Sequence, residues 1–407
     1  MLRIDSFVHR QQLAELITRW MLNRPRSGDV RQLKTIVNFN LYCARIWLDD
    51  LTTRLLRELH SAEPTWHPTQ VKGAYKDFAV RNLRYTSPRI EQMCDRYLRF
   101  PEDFYRETPV DGGYYTVEAS GQPSLVACTR IKRFRRIAEK GGRRIVDDML
   151  RRIRESADQL AEERARSLGV DRRTLVTPPE KMAEEFAHAE RRVIKRIKQG
   201  TIARDLGVQS IPDVVGVKLI LEDHERSRLL PLLEQFGCRV DEVEEHRGVY
   251  NATNMHVALP FPKAMLAARP PSGRFLTLLH LRGFEPERVL DDYLTFLTQA
   301  DDEVSVEIIV SSFQEYLESE IGRAMHEERV LSQRRHPDYN GNLGMNIRFL
   351  MEFILSLCRA PGLNDVHDVP IKLWVKYMPD TVEQLVRSLY LDDDHFFDTV
   401  PERALES

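Results

Sequence analysis

Asp213-Val214-Val215-Gly216-Val217-Lys218-Leu219-Ile220-Leu221 is the stretch on which the fold turns. Entered through Pro212, this nearly unbroken run of branched apolar residues reads as a strand buried on both faces, since such strands lose the polar alternation of a half-wet sheet. Downstream, Leu229, Leu230, Leu232 and Leu233 mark a helix. Cys238 to Val243, His256 to Leu259 and Val304 to Val310 are again strand-like, and a helix from Phe313 to Arg329 closes the unit. The fold class expected is α/β (α+β), with a small mixed-sheet domain over residues 179–330.

Helical modules are expected on both sides. Leu13, Leu16, Ile17, Trp20 and Met21, then Val37, Leu41, Ala44, Leu48, Leu51 and Leu55, recur at helical spacing. Asp111-Gly112-Gly113, Tyr114 to Val117, Ser120 to Pro123 and Leu125-Val126 read as a β-hairpin. Residues 1–130 thus form a helical N-terminal module ending in a hairpin. Residues 131–178 form a basic helical connector, and the charged stretch itself runs from Lys132 to Lys198 with Arg135-Arg136, Arg143-Arg144, Arg151-Arg152 and Arg191-Arg192 along it. It reads either as solvated faces paired with interleaved acids or as a surface for phosphates or RNA. Residues 331–407 form a helical appendage. Its apolar helix from Ile347 to Cys358 is short and carries Arg348 and Glu352, which suits a core helix and not a membrane span. A further helix is expected from Asp380 to Leu391, ahead of an acidic tail.

Composition narrows the class. Of 407 residues 42% are hydrophobic and 30% charged, and 60 Lys and Arg against 62 Asp and Glu leave a formal charge of -2, so any cationic surface must be local. Cys43, Cys94, Cys128, Cys238 and Cys358 are widely separated and odd in number, which supports neither a disulfide framework nor a cysteine zinc site. With no apolar signal segment at Met1 to Ser6, a reducing cytoplasmic setting is expected.

Two acidic residues fall at strand positions, where a carboxylate must face water or be compensated. Asp213 opens the first strand, and Glu307 lies inside Val306-Glu307-Ile308-Ile309-Val310. On neighbouring strands they can hold Mg²⁺, a hard cation that prefers oxygen ligands. Read blandly, Asp213 is a turn residue and Glu307 an exposed edge charge.

Arg196-Ile197-Lys198, Thr201-Ile202 and Arg204 precede Asp213-Val214-Val215-Gly216-Val217-Lys218, and Glu307-Ile308-Ile309-Val310 precedes Glu320-Ile321-Gly322-Arg323-Ala324-Met325-His326. In this order the pieces resemble the synthetase domain of the RelA/SpoT family of alarmone synthetases, over about residues 179–328. The resemblance implies a nucleotidyltransferase-like fold and a pyrophosphokinase that moves a pyrophosphate from ATP to a ribose hydroxyl. It implies that Asp213 and Glu307 are catalytic and bind Mg²⁺, that Arg196, Lys198, Arg204 and Lys218 bind ATP, and that Glu320 and His326 support the site. The acceptor would meet Tyr250, Asn254 and His256.

Departures from the family pattern leave alternatives open. Ser311 and Ile309 stand where the family has Arg and Gln, Lys218 replaces an Arg, and the stacking Tyr is absent from Ala252-Thr253-Asn254-Met255-His256, with Tyr250 the nearest aromatic. The roughly fifty residues between His256 and Glu307 form an insertion that reads as a lid, an acceptor platform or a plug. The partners expected are ATP and a nucleotide, or tRNA engaged through the 132–198 stretch. The rival from another class is an inactive nucleotide-sensing or protein-interaction module. Gly112-Gly113 and Gly141-Gly142 lack a P-loop context, His367-Asp368 has no accompanying hydrolase motif, and zincin and serine-hydrolase motifs are absent.

Overall fold

Val215–Ile220 is the fourth of seven strands, paired along both edges, with Val215, Val217 and Leu219 buried on one face and Ile220 on the other. The computed structural model describes residues 2–119, 121–204, 209–248, 250–323, 325, 341–362 and 365–375. In chain order its elements are β1 (Leu2–Ile4), α1 (Arg10–Met21), α2 (Asp29–His60), β2 (Thr65–Val71), α3 (Gly73–Arg81), α4 (Pro88–Arg99), β3 (Pro109–Ala119), β4 (Gln122–Ile131), α5 (Phe134–Leu168) and α6 (Pro179–Gln199). There follow β5 (Gln209–Ile211), β6 (Val215–Ile220), α7 (Asp223–Gln235), β7 (Arg239–His246), β8 (Ala252–Pro260), α8 (Lys263–Ala267), α9 (Gly273–Leu281), α10 (Pro286–Thr298), β9 (Glu303–Ser311), α11 (Phe313–Ile321) and α12 (Asn342–Leu357).

The structure is mixed α/β with a mixed sheet. Its order is β2-β3-β4-β6-β9-β8-β7, and β6 with β9 is the parallel pair in it, the other neighbours being antiparallel. One expectation is corrected here. The hairpin assigned to a separate N-terminal module forms β3 and β4, and β4 pairs with β6 from Ala127↔Leu219 to Ile131↔Val215. The N-terminal part of the chain therefore builds three of the seven strands, and pairing with β6 removes the hairpin's free edge.

Period-two alternation assigns the two faces. Val215, Val217, Leu219, Val304, Val306, Ile308, Met255 and Val257 join one large core with Leu33, Val37 and Leu48 of α2. The other face carries a smaller cluster of Tyr75, Ile90, Cys128, Ile220, Phe313 and Tyr316, contributed by α3, α4 and α11. The insertion after β8 lies on the α2 side: Tyr293 and Phe296 of α10 meet Phe39 edge-on at 5.4 Å. The long basic helix α5 packs on α12, and Gly141 and Gly142 are the reason it can. A Cβ on Gly141 would meet Met351 Cε at 2.9 Å, and one on Gly142 would meet Arg348 Cα at 3.3 Å.

A second, two-stranded sheet pairs β1 parallel to β5. Asp5 N–H donates to the Ile211 carbonyl at 3.2 Å, and Ser6 Oγ to the Pro212 carbonyl at 3.3 Å, fixing the entry to Asp213. Among the described residues no helix is long and apolar enough to cross a membrane. His326, the Arg204 side chain, the helix expected from Asp380 to Leu391 and the acidic tail lie outside the described part.

A Cβ on Gly112 would fall onto the Thr129 carbonyl oxygen of the neighbouring strand. Gly112→Ala is therefore expected to lower unfolding stability by about 1–3 kcal/mol through overpacking. Urea denaturation measures it, and wild-type stability would mean that β3 and β4 are not so closely apposed.

Candidate functional site

On the sheet face away from α2, side chains from four strands form two rows. Cα partners run Arg130–Gly216–Glu307–His256 across β4, β6, β9 and β8, and the next row on the same face is Cys128–Lys218–Ile309–Asn254. Over these rows lies a cavity of about 240 Å³. Lys72 and Tyr75 beside α3, Tyr316, Ser319 and Glu320 of α11, and His246 and Tyr250 at the β7–β8 turn complete its walls, and Asp213 reaches it from the start of β6.

Every carboxylate of the pocket is ion-paired. Arg130 Nη2 donates to Glu307 Oε2 at 2.9 Å, although the two residues lie two strand spacings apart, about 10 Å. The bare backbone of Gly216 between them makes this possible, since a Cβ there would crowd Glu307 Oε2 at 3.4 Å and its carbonyl oxygen at 3.2 Å. Lys132 Nζ is 2.9 Å from Asp213 Oδ2, and Lys140 Nζ pairs with the same oxygen. Asp213 Oδ1 is buried with no hydrogen-bond partner. Glu320 is approached by Lys218 at 3.1 Å, Lys72 at 3.5 Å and Lys76 at 3.9 Å. Leaving out Lys132, one cation on Asp213, one on Glu307 and three on Glu320 make five against three carboxylates, so the pocket favours an added anion.

The charges tune one another. Burial would raise the Asp213 carboxyl, but Lys132 and Lys140 outweigh it and hold the group below the usual carboxylate range. Glu320 is likewise lowered, burial being overcome by Lys72, Lys218 and Lys76. Burial, and then repulsion from Arg130, brings Lys132 down to about 7.

Of the residues singled out in the sequence, Asp213, Lys218, Tyr250, Asn254, Glu307 and Glu320 meet at this cavity. His256 shares the face and lies opposite Glu307, but does not line the cavity. Arg196 and Lys198 are exposed on α6 and do not line it either: the buried positions Val193 and Ile197 decide which face of that helix turns inward. The cations near Asp213 come instead from β4 and α5, as Arg130, Lys132 and Lys140. None of these three, nor Lys72, Tyr75 or His246, was singled out as a site residue: Lys132 and Lys140 lie in the basic stretch read as a surface for phosphates or RNA but carry no motif of their own, and Arg130 is marked only by its alternation with Cys128 on β4.

No family model, curated protein or solved structure matches the chain.

Among the described residues no group of three or more His, Cys, Asp or Glu side chains is placed to hold a metal ion. Mg²⁺ asks less of a protein, one or two carboxylates with phosphate and water completing its shell. Asp213 and Glu307 in one cavity, with Asp213 Oδ1 unpartnered, fit that donor set.

Two outcomes test the electrostatics. Glu320→Gln leaves three lysines without their buried counter-charge and is expected to cost roughly 3–5 kcal/mol in urea unfolding, with part recovered in the double variant carrying Lys72→Met. Lys132 gives up its proton near pH 7 when folded but near 10.5 when unfolded, so unfolding takes up a proton between those values. Its contribution to stability therefore rises with pH across that window, by up to about 1.4 kcal/mol per unit. The stability difference between wild type and Lys132→Met, measured at pH 7 and 9, should shift in favour of wild type at the higher pH.

Proposed function

We propose that the protein is a RelA/SpoT-like pyrophosphokinase, which transfers the β,γ-pyrophosphoryl group of ATP to a ribose hydroxyl of a free nucleotide. The observation that carries this reading is the meeting of Asp213 and Glu307 in one cavity with excess positive charge, at the parallel β6–β9 pair. Asp213 and Glu307 would hold Mg²⁺, which when bound neutralises the polyphosphate and supplies electrophilic assistance at phosphorus. The acceptor oxygen forms a bond to the β-phosphorus as the bond from that phosphorus to the α,β-bridging oxygen breaks. AMP leaves with the bridging oxygen, and the hydroxyl proton passes to Glu307, which orients the nucleophile. Such chemistry rests on positioning and charge, and a rigid sheet face supplies both.

The acceptor base would sit against the His246–Tyr250 ring pair, whose centroids are 5.5 Å apart. Asn254 Nδ2 lies 3.1 Å from His246 Nε2, while its Oδ1 is buried without a partner and can accept from a base N–H. Free nucleotide is preferred to tRNA because much of the basic stretch is paired internally. Arg151 and Arg152 bind Asp148, Arg164 binds Glu185, and Arg172 binds Asp158 and Glu162. One observation favours the second reading, nucleotide binding without transfer: both metal-ligand candidates already hold cations of the chain.

Incubation with Mg²⁺, labelled ATP and a panel of nucleotides and tRNA should yield AMP and a pyrophosphorylated nucleotide. Asp213→Asn, Glu307→Gln or chelation by EDTA should each cut turnover by more than about a hundredfold, with thermal melts confirming that the variants fold. Nucleotide binding by calorimetry with no product, unchanged in Glu307→Gln, would establish the non-catalytic reading instead.

A further inference from the structure

The three cations on Asp213 and Glu307 all come from one short segment, the end of β4 and the first turns of α5, outside the residues that resemble a synthetase. We infer that Arg130 and Lys140 form the polyphosphate clamp of the pocket by exchanging partners: in the free protein they neutralise Glu307 and Asp213, and with metal and polyphosphate bound they turn to the phosphate oxygens. This rests on the proposed reaction for its metal, but the clamp itself is argued from geometry.

Arg130 lies in the cavity wall and reaches Glu307 with one guanidinium nitrogen, Nη2. A guanidinium presents five donors in a planar fork, so it can engage phosphate from the same position. Lys140 is the more exposed partner of Asp213. Its side chain is 39% exposed, against 13% for Asp213 and 9% for Lys132, so it can swing toward a ligand while Lys132 stays on Asp213. Lys132 also donates to the Asp213 backbone carbonyl, which keeps the carboxylate in place after Lys140 leaves. The exchange conserves charge compensation. A metal replaces the departing ammonium and guanidinium on the carboxylates, while a polyanion receives them, so no buried charge is left unpaired at the end. Lys140 is not itself a lining residue but reaches the cavity through its pair with Asp213, which is one, whereas Arg196 and Lys198 are exposed on α6.

The exchange predicts opposite effects of a single substitution on two ligands. Lys140→Met should weaken binding of inorganic tripolyphosphate, measured by calorimetry with saturating Mg²⁺, about tenfold, the scale of one charge-assisted contact. The same variant should bind Mn²⁺ alone several-fold more tightly by electron paramagnetic resonance, because a competing cation has left Asp213. Arg196→Met and Lys198→Met should leave tripolyphosphate affinity at the wild-type value. Unchanged tripolyphosphate affinity in Lys140→Met, Mn²⁺ binding that is equal or weaker, or loss of tripolyphosphate binding in the α6 variants each overturn the clamp. Failure of the two ideas is separable. A protein with this binding pattern but no AMP release keeps the clamp and loses the reaction, and one that turns over ATP with normal ligand binding in Lys140→Met does the reverse.

Discussion

Arg130 reaches Glu307 across the backbone of Gly216, and much of the architecture follows from that span. It joins β4, supplied by the N-terminal third of the chain, to β9, which arrives almost two hundred residues later, over a strand that contributes no side chain at the crossing. A Cβ at 216 would crowd the Glu307 carbonyl oxygen and Oε2, so that β9 or the carboxylate would have to give by a few tenths of an ångström. The same pair contributes to the electrical character of the pocket, because it gives a buried carboxylate a cationic partner on the sheet face that lines the cavity. Burying an acid there without a partner would cost several kcal/mol.

The fold was legible wherever the side-chain period was strong. Val215 to Leu219 and Val304 to Val310 showed their burial directly, and Leu13 to Met21 and Val37 to Leu55 showed helical faces that now cover the sheet. Domain boundaries were not legible, because a hairpin such as Tyr114 to Val126 has the same alternation whether its edge is free or paired, and only the pairing of Ala127 with Leu219 decides. The insertion between His256 and Glu307 was equally undetermined. Its aromatic residues Tyr293 and Phe296 find Phe39 on the far side of the sheet, so it buttresses α2 and leaves the cavity open.

The candidate site was legible in its acids and in Lys218, but not in its other bases. A carboxylate inside an apolar strand, as Glu307 is, or just ahead of one, as Asp213 is, attracts attention. A lysine or arginine near a strand end or helix start does not, and Lys72, Arg130 and Lys140 lie far in sequence from the carboxylates they neutralise. Arg196 and Lys198 drew attention by preceding Asp213 in the chain and by the family resemblance of their segment. Their positions beside Val193 and Ile197 on α6 send them to solvent, an outcome fixed by helical geometry and not by sequence proximity.

The short β1–β5 pair has a kinetic side. Ser6 and Pro212, bonded at the threshold of Asp213, are 206 positions apart, and contacts of that separation carry a large loop-closure entropy before they return any stabilisation. The corner that presents Asp213 thus belongs to the high-contact-order part of the topology, and folding is expected to finish there. Helices α1 and α2 and the β3–β4 hairpin can collapse from local contacts while the threshold is still open. A late intermediate would then hold most of its native helix and sheet yet have no competent pocket, so recovery of ligand binding on refolding should lag behind recovery of secondary structure.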